Sequence, residues 1–225
     1  MQNKPDHVDI IMDGNRRWAN KHNVPIKRGH EAGYYALKEI VKVAPSLEIK
    51  ILTVYAFSTE NWLRPKNQVL DIMSLMTTYI EQVIEELNAN DVCFKVVGDL
   101  AAFPKNIAKK LRTGIDLTAG NKKMILNVAL NYGGRDEIVR SVNKILAKGE
   151  KVDILSLDSN LDTGGQKDPD LIIRTGGANR LSNFLLWQAA YSEFLFTDVL
   201  WPDFKPSNLE KILREFAERE RRFGK

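Results

Sequence analysis

His7-Val8-Asp9-Ile10-Ile11-Met12, followed at once by Asp13-Gly14-Asn15, is the stretch of sequence that decides the fold. The run is short, largely apolar and rich in β-branched residues, and it stops at an Asp-Gly pair of the kind that forms turns. This pattern is typical of a buried strand that breaks into a loop. We therefore predict a first strand here, with polar side chains just beyond its carboxyl end.

The same pattern recurs along the chain and alternates with segments of helical periodicity. Further strands are predicted at 51–57, 92–97, 124–130, 171–173 and 194–200. Helices are predicted at 33–44, 69–87, 104–119, 138–146, 182–191 and 209–222, and residues 150–169 are predicted to be a polar connector. This alternation predicts an α/β fold: a single domain over residues 1–225, with about six mostly parallel strands flanked by helices.

Composition and charge exclude several classes of protein. The 225 residues carry 33 basic and 29 acidic side chains, which gives a net charge of +4. We therefore expect no positive electrostatic potential strong enough to attract nucleic acid. The single cysteine, Cys93, excludes a disulfide framework, and the three histidines lack metal-ligand spacing. No apolar signal region and no window of the roughly 20 apolar residues that span a bilayer is present, so we expect a cytoplasmic protein.

Arginines gather where the predicted strands end. Ligands of an open parallel sheet bind outside the carboxyl ends of its strands, and guanidinium groups match phosphate oxygens in pairs. The loops at these ends contain Arg16, Arg17, Arg64, Arg174 and Arg180. One such arginine alone is usually a solvated surface residue, so the prediction of a phosphate site rests on all five falling at one edge.

Carboxylates and glycines complete this predicted site. Gly14, Gly176 and Gly177 would let backbone N–H groups approach an anion. Asp13 and Glu193 are oxygen ligands suited to Mg²⁺, which commonly bridges carboxylates and phosphates. The alternatives are an ordinary turn at Asp13-Gly14 and a solvent-facing Glu193. No P-loop, dinucleotide fingerprint or nucleophile elbow is present, so the residues favour a divalent metal with one or two polyphosphate groups.

Several longer blocks resemble the cis-prenyltransferases and run in order from residue 7 to residue 224. The blocks are His7–Trp18, Tyr55–Pro65, Asn131–Arg135, Leu171–Gly177, Arg180–Gln188, Phe196–Phe204 and Arg219–Gly224. The resemblance implies a hydrophobic tunnel and a reaction in which isopentenyl diphosphate is condensed onto an allylic diphosphate such as farnesyl diphosphate. Each cycle would add a cis double bond and release pyrophosphate. The bacterial product would be undecaprenyl diphosphate, the precursor of the cell-wall lipid carrier.

The resemblance also implies partners. A homodimer is expected, together with transient contact at the inner membrane surface when the lipid product is released. Mg²⁺ is the expected cofactor.

Carried over residue by residue, the resemblance implies roles for the site residues. Asp13 would place Mg²⁺ and assist departure of diphosphate, and Glu193 would be the second Mg²⁺ ligand. Asn61 stands at the position of the proton acceptor, although an amide is a poor base and could instead orient a diphosphate oxygen or a water. The expected substrate-binding residues are Gly14, Asn15, Arg16, Arg17, Trp18, His30, Ser58, Thr59, Glu60, Trp62, Arg64, Arg174, Arg180, Leu181 and Ser182.

Two departures from the family pattern and two other functions stay open at this point. Ile26 replaces a common arginine, and Lys27 or Arg28 could take its place; Ala178 and Asn179 replace an acidic residue and a polar one. A non-catalytic partner subunit of the same fold is one alternative, but it would be expected to have lost catalytic-loop residues that are all present here. A generic phosphate-binding α/β module is the other, and it does not explain the order of the blocks.

Overall fold

Six parallel strands form one sheet in the computed structural model, which describes residues 4–219. The strands are β1 (His7–Ile11), β2 (Ile51–Ser58), β3 (Val92–Val97), β4 (Met124–Tyr132), β5 (Leu171–Arg174) and β6 (Glu193–Phe196). Their order across the sheet is β3-β4-β2-β1-β5-β6, and every neighbouring pair is parallel. The predicted α/β fold with a parallel sheet is confirmed.

Helices cover both faces of this sheet. They are α1 (Asn15–Lys21), α2 (Ile26–Val43), α3 (Lys66–Ala89), α4 (Lys105–Thr118), α5 (Gly134–Ala147), α6 (Ile154–Asn160) and α7 (Pro206–Ala217). Side chains of α2, α3, α4 and α7 form the larger core on one face, and α5 packs on α6 over the other. Parallel sheets need such cover, because their strands are apolar on both sides.

The first strand lies in the middle of the sheet, between β2 and β5. Val8 and Ile10 belong to the larger core, whereas Ile11 packs in the cluster on the opposite face. The register places Ile11 beside Tyr55 of β2 and beside Arg174 of β5. The carboxyl ends of these three strands therefore meet at one edge, which is where the candidate site lies.

The same strand buries an ionisable pair. His7 Nε2 lies 2.9 Å from Asp9 Oδ1, and the two side chains are 1% and 0% exposed. His7 Nδ1 lies 2.6 Å from the Lys167 carbonyl oxygen. Although burial opposes it, the charge and hydrogen bond of Asp9 raise the pKa of His7. His7 has a hydrogen-bond partner at each ring nitrogen, the Lys167 carbonyl oxygen and Thr53 Oγ1, whereas the two Asp9 carboxylate oxygens have none among residues 4–219 and face only the ionic contact with His7.

Two sequence predictions about helices are wrong. The predicted connector 150–169 contains α6, which begins at a capping box between Asp153 and Ser156 and buries Leu157. The predicted helix over 182–191 does not form. Ser182 and Asn183 adopt positive φ angles of 51° and 64°, which end any helical path, and only Gln188–Tyr191 makes a 3-10 turn.

Several boundaries also differ. The short helix α1 was not predicted, α2 begins at Ile26 rather than at residue 33, and β6 ends at Phe196 rather than at residue 200. The last helix, predicted over 209–222, spans Pro206–Ala217. Residues 220–225, which hold most of the terminal block 219–224, lie outside the described residues.

A glycine allows α2 to pack closely on α1. A Cβ atom at Gly29 would lie 2.2 Å from the Asn15 carbonyl oxygen and 3.0 Å from the Ala19 Cβ. Both atoms belong to the neighbouring helix, and the oxygen is backbone, so the clash cannot be relieved by a side-chain rotation.

We therefore expect Gly29→Ala to lower the free energy of unfolding by about 1–3 kcal/mol, as overpacking does, in spite of the roughly 1 kcal/mol that alanine adds to helix propensity. Denaturant unfolding measures this. Gly120→Ala is the control, because no atom lies within 4 Å of its added Cβ. Equal midpoints for the two variants would contradict the proposed close packing.

Candidate active site

The Asp13 carboxylate lies between two arginines at the carboxyl end of β1. Its Oδ1 accepts a hydrogen bond of 2.9 Å from Arg17 Nη2, and its Oδ2 accepts one of 2.9 Å from Arg174 Nη2. The Asp13 side chain keeps 28% exposure, so the carboxylate remains accessible. Charge-assisted bonds of this length fix its orientation.

Arg174, the last residue of β5, is the buried member of this group. Its Nη1 donates to the Arg180 carbonyl oxygen at 2.6 Å and to Ser182 Oγ at 2.7 Å. The residue is 5% exposed. One guanidinium thus ties the loop after β5 to the carboxylate after β1, and a lysine could not make the same three contacts in this geometry.

Two glycines make the backbone approach possible. Gly14 has a φ of 129°, and a Cβ there would lie 2.9 Å from Trp201 N. Gly176 has a φ of 80°, and its Cβ would lie 2.9 Å from the Asp13 carbonyl oxygen. Both positions combine a left-handed backbone with close packing, and only glycine satisfies both. Gly177 also has a positive φ, of 75°.

Two polar cavities meet at Asp13. The first, of about 370 Å³, is lined by Met12, Asp13, Gly14, Asn15, Arg16, Arg17, Asn20, His30 and Arg64. The second, of about 610 Å³, is lined by Ile11, Met12, Asp13, Tyr55, Ser58, Glu60, Asn61, Arg64, Arg174, Arg180, Ser182 and Asn183. Met12, Asp13 and Arg64 line both. The structure therefore brings most of the predicted site residues together, in two adjoining compartments.

An apolar cavity of about 270 Å³ opens from the same place. It shares four lining residues with the first polar cavity, namely Met12, Asn15, His30 and Arg64. From there it runs between the sheet and the helices α2 and α3. Its inner wall is hydrocarbon, with contributions from Ile72, Met76, Ile80, Val83, Leu111, Leu126, Val128 and Leu130. The site thus joins a cationic mouth to an apolar interior, which matches the predicted hydrophobic tunnel.

Three of the arginines carry unneutralised charge. Within residues 4–219, Arg16, Arg64 and Arg180 take part in no ion pair closer than 4 Å. Burial, together with the nearby charge of Arg16, lowers the pKa of Arg64. Like charges held together in a partly desolvated cleft attract an anion strongly.

His30 lies on α2 at the junction of the polar and apolar cavities. Its Nδ1 is 3.3 Å from Asn15 Nδ2, and its buried Nε2 has no hydrogen-bond partner among residues 4–219. Burial, with Arg64 and Arg16 nearby, lowers the pKa of His30 to about 4. The free protein therefore holds His30 neutral at pH 7, and a bound anion would be the missing partner of the ring.

Asn61 belongs to a local cap as well as to the second cavity. Its Oδ1 accepts from Ser58 N at 3.3 Å, and its Nδ2 donates to Ser58 Oγ at 2.7 Å. These bonds hold the turn after β2, Thr59–Leu63, in place. The amide is therefore oriented by the loop, which suits a role in positioning a substrate oxygen better than one as a base.

Four predicted substrate-binding residues do not line the cavities at Asp13. Trp18 donates to Asp203 Oδ1 at 2.7 Å on the outer side of α1. Trp62 donates to Asn131 Oδ1 at 2.8 Å and packs against aromatic rings. Thr59 bonds to its neighbour Glu60, and Leu181 packs against the second core cluster. These positions support the loops, and contact with substrate stays a prediction for them.

Glu193 does not lie at this edge. It begins β6 and pairs in register with Leu171, which in turn pairs with Val8 of β1. Glu193 is therefore level with Val8 along the strand direction. Asp13 is five residues beyond Val8, so about 16 Å along this direction separates Glu193 from Asp13. Glu193 instead lies 2.9 Å from Arg219. The prediction that Asp13 and Glu193 share one ion is wrong within a single chain, because a parallel strand places its first residue at the opposite edge.

Two site residues were missed although both stand in quoted blocks. Asn183 Nδ2 donates to Glu60 Oε1 at 2.9 Å, and its Oδ1 accepts from Arg135 N at 3.0 Å. Tyr55, within β2, lines the second cavity. Asn183 was not predicted because its placement depends on a left-handed backbone conformation, and the apolar periodicity of the sequence does not reveal that conformation.

The two candidates for the role of the family's arginine, Lys27 and Arg28, lie outside the cavities at Asp13. Arg28 Nη1 donates to Glu31 Oε2 at 2.6 Å, and Lys27 shares a separate surface groove with it. Neither lines the cavities at Asp13.

The donor set at the edge fits a magnesium ion only in part. Among residues 4–219 no group of three or more His, Cys, Asp or Glu side chains could hold a metal. Two accessible carboxylates, Asp13 and Glu60, line the polar cavities. Mg²⁺ is commonly held by one or two carboxylates with substrate phosphates and water completing the shell, so this site fits an ion that arrives with a diphosphate.

Comparison with known proteins agrees with this geometry. The profile of the family described as "Putative undecaprenyl diphosphate synthase" matches residues 11–224. The chain belongs to this family of prenyltransferases. An isoprenyl transferase of Clostridium acetobutylicum is 46% identical over 99% of this chain and 90% of its own length. One from Prochlorococcus marinus is 44% identical over 98% of this chain and 84% of its own.

Solved structures agree as well. Lavandulyl diphosphate synthase from Lavandula x intermedia, in complex with dimethylallyl diphosphate, superposes with a TM-score of 0.95 at 36% identity, covering 99% of both chains. A probable undecaprenyl diphosphate synthase from Campylobacter jejuni gives 0.86 at 33% identity, covering 99% of this chain and 100% of that one. The chain thus shares the fold of these two synthases. No helix among residues 4–219 is long and apolar enough to cross a membrane.

The lowered pKa of His30 makes stability depend on pH. Below pH 6.5 the unfolded chain protonates this histidine while the folded protein does not, so stability falls as pH drops from 6.5 to 4. We expect His30→Gln to remove on the order of 3 kcal/mol of this loss, at about 1.4 kcal/mol per pKa unit. Urea unfolding of the wild type and of His30→Gln at several pH values measures the difference in their free energies of unfolding. The contributions of the other titratable groups cancel in this difference. If this difference did not change with pH, the conclusion that His30 is buried and neutral would be wrong.

Ile26 is half-buried at the start of α2. We predict that Ile26→Arg folds and keeps its activity, because the adjoining Lys27 and Arg28 show that this surface accepts cations. Circular dichroism and a turnover assay test this. Loss of the cooperative unfolding transition would show instead that Ile26 is needed for packing.

Proposed function

We propose that this prenyltransferase condenses isopentenyl diphosphate onto an allylic diphosphate, farnesyl diphosphate, in repeated cycles. Each cycle adds a cis double bond and releases pyrophosphate. The long product, undecaprenyl diphosphate, would serve as precursor of the cell-wall lipid carrier. One observation supports this most: two cationic cavities meet at Asp13, and an apolar cavity leads away from the first.

The first cavity suits the allylic diphosphate. Arg16 and Arg64 supply unpaired positive charge there, and the adjoining apolar cavity accepts the hydrocarbon tail. A structural relative at 36% identity was solved with dimethylallyl diphosphate, which is also an allylic diphosphate. The second cavity, with Arg174, Arg180 and Ser182, suits the diphosphate of isopentenyl diphosphate. The Arg64 side chain lines both, so it can contact either substrate.

The reaction breaks a C–O bond and leaves negative charge on the departing diphosphate. With the allylic diphosphate in the first cavity, Arg16, Arg17 and Arg64 would lie beside this developing charge, and little reorganisation would be needed. Mg²⁺, held by Asp13 and phosphate oxygens, would add Lewis-acid stabilisation of the leaving group. Asn61, oriented by Ser58, would position the oxygen that accepts the proton released from the new chain end.

The experiment is a condensation assay with purified protein, farnesyl diphosphate and labelled isopentenyl diphosphate, with and without Mg²⁺. Lipid extraction and sizing follow. Long chains that require Mg²⁺ are the expected result. No incorporation by folded protein, with several allylic primers, would contradict the proposal and favour a non-catalytic partner subunit.

Asp13→Asn should lower the condensation rate by a factor of at least about 100, because the neutral amide neither balances Arg174 nor attracts a metal ion. Since one buried charge loses its partner, thermal unfolding is measured beside activity. Asp116→Asn, on an exposed face of α4, is the matched control and should leave the rate unchanged. Near-normal turnover of a folded Asp13→Asn protein would remove Asp13 from the reaction.

We also propose that two copies associate through the outer faces of α5 and α6. These faces expose Val139, Leu146, Ile154 and Leu155, between 58% and 77% accessible, which is unusual for an unpartnered surface. Sedimentation equilibrium should give a dimer, and Leu155→Glu should weaken it. A monomer at micromolar concentration would contradict this.

The cytoplasmic location and the transient contact with the inner membrane surface are part of the same proposal, since the product is a lipid that must leave the apolar cavity. Flotation with anionic vesicles during turnover tests this contact, and the lipid product should float with the vesicles. Product that stays bound to the protein would contradict the proposal.

A further inference from the structure

Asn183 lies where the loop after β5 meets the start of α5, and it lines the second polar cavity. Its backbone oxygen accepts a hydrogen bond of 2.7 Å from Gly134 N, and its side-chain Oδ1 accepts one of 3.0 Å from Arg135 N. These are the first two N–H groups of α5, which have no partner inside their own helix. Asn183 therefore anchors the loop after β5 on the start of α5.

The other half of the Asn183 amide is directed at Glu60, in the turn after β2. Asn183 Nδ2 donates to Glu60 Oε1 at 2.9 Å, and Thr59 Oγ1 donates to Glu60 Oε2 at 3.2 Å. Gly133 makes this approach possible, because a Cβ atom there would lie 2.7 Å from Asn183 Nδ2 and 2.8 Å from Thr59 Oγ1. Since the N–H group of Arg135 requires an acceptor, the amide turns its oxygen toward α5 and its NH₂ group toward the carboxylate.

Glu60 keeps its negative charge although no cation pairs with it. Burial opposes ionisation, but hydrogen bonds, of which the one from Asn183 is the strongest, lower the pKa of the Glu60 carboxyl group. Among residues 4–219 this carboxylate forms no ion pair within 4 Å, and the two donors named above are neutral. Arg180 lines the same cavity and likewise has no acidic partner in this part of the chain. A carboxylate and a guanidinium thus border one cavity without pairing.

This arrangement requires that the carboxylate be held in place. Opposite charges at one cavity attract each other, and the Glu60 and Arg180 side chains are both long and exposed. An arginine neutralised by Glu60 would bind a diphosphate less tightly. A neutral amide is a suitable tether, because it binds the carboxylate and leaves the net charge of the cavity unchanged.

We propose that Asn183 is a positioning residue for the second substrate: its side chain holds the Glu60 carboxylate beside the start of α5 and so leaves Arg180 free for the diphosphate of isopentenyl diphosphate. This inference rests on the proposed function, since it needs isopentenyl diphosphate in the second cavity. Loss of the tether weakens binding of that substrate. The first cavity, which none of these three residues lines, keeps its affinity for the allylic diphosphate.

Steady-state kinetics of the proposed condensation test this role, with KM measured separately for isopentenyl diphosphate and for farnesyl diphosphate. Asn183→Asp keeps the acceptor for Arg135 N and suits the positive φ of 64°, but it replaces the donor to Glu60 by a repelling oxygen. We expect KM for isopentenyl diphosphate to rise on the order of tenfold, as when one charge-assisted bond is weakened. KM for farnesyl diphosphate should change by less than about twofold.

Adding Glu60→Gln to Asn183→Asp provides the rescue. The two changes together exchange donor and acceptor, so the bond can form again at the same net charge. We expect KM for isopentenyl diphosphate in the double variant to lie at least about threefold below that of Asn183→Asp, a coupling that a general structural defect would not produce.

Asn179→Asp is the matched control, because it adds the same charge at an exposed position of the same loop. Solvent screens that charge, so KM for isopentenyl diphosphate should stay within about twofold of the wild-type value. An equal rise in this variant would overturn the proposal, because added charge alone would then account for the effect.

The other outcomes separate this inference from the proposed function. Wild-type incorporation with an unchanged KM in Asn183→Asp, or a double variant no better than Asn183→Asp, would overturn the role of Asn183 and leave the proposed reaction standing. No incorporation by the wild type would overturn both. If Asn183→Asp does not fold, Asn183→Gly, which also suits the positive φ, is measured in its place, and an unchanged KM there would equally contradict the proposal.

Discussion

The contact between the Asp13 carboxylate and the buried Arg174 guanidinium is the interaction on which the site depends. It joins the ends of two neighbouring strands, β1 and β5, and Arg174 in turn holds the loop that contains Arg180 and Ser182. A guanidinium that is 5% exposed needs its partners, because removing one partner of a buried pair typically costs about 3–5 kcal/mol. The carboxylate is therefore held at a fixed place while one side stays open.

The remaining chemistry follows from the direction of the strands. All six strands are parallel, so the loops after β1, β2 and β5 meet at one edge and their arginines gather there. Within residues 4–219, Arg16, Arg64 and Arg180 have no acidic partner within 4 Å. The space between the sheet and the helices α2 and α3 is apolar and opens at the same edge. A molecule with an anionic head and a hydrocarbon tail fits this combination, and neither a nucleotide nor a sugar would use the apolar part.

Much of this could be predicted from the sequence, because it depends on local pattern. The run at His7–Met12 predicts the central strand, and the arginines after the strands predict an anion site. What failed depends on geometry between distant residues. Glu193 is the first residue of a strand rather than one that follows a strand, so parallel pairing places it far from Asp13. Residues 182–191 have the composition of a helix, yet the positive φ angles at Ser182 and Asn183 are set by contacts with Arg174 and Arg135.

Other features were invisible for the same reason. Asn61 and Trp62 stand in a block that resembles a substrate-binding segment, but Asn61 also caps its own turn and Trp62 packs against Phe57 and Phe103. The stacking of Tyr34 on Tyr79 joins residues 45 positions apart along the chain, and no periodicity of the sequence specifies it.

A crystal structure with a non-hydrolysable farnesyl diphosphate analogue tests the central claim most directly. The account predicts the diphosphate beside Arg16, Arg64 and His30, with the tail entering the apolar cavity between the sheet and helices α2 and α3. A diphosphate bound elsewhere, or a tail lying outside that cavity, would contradict it.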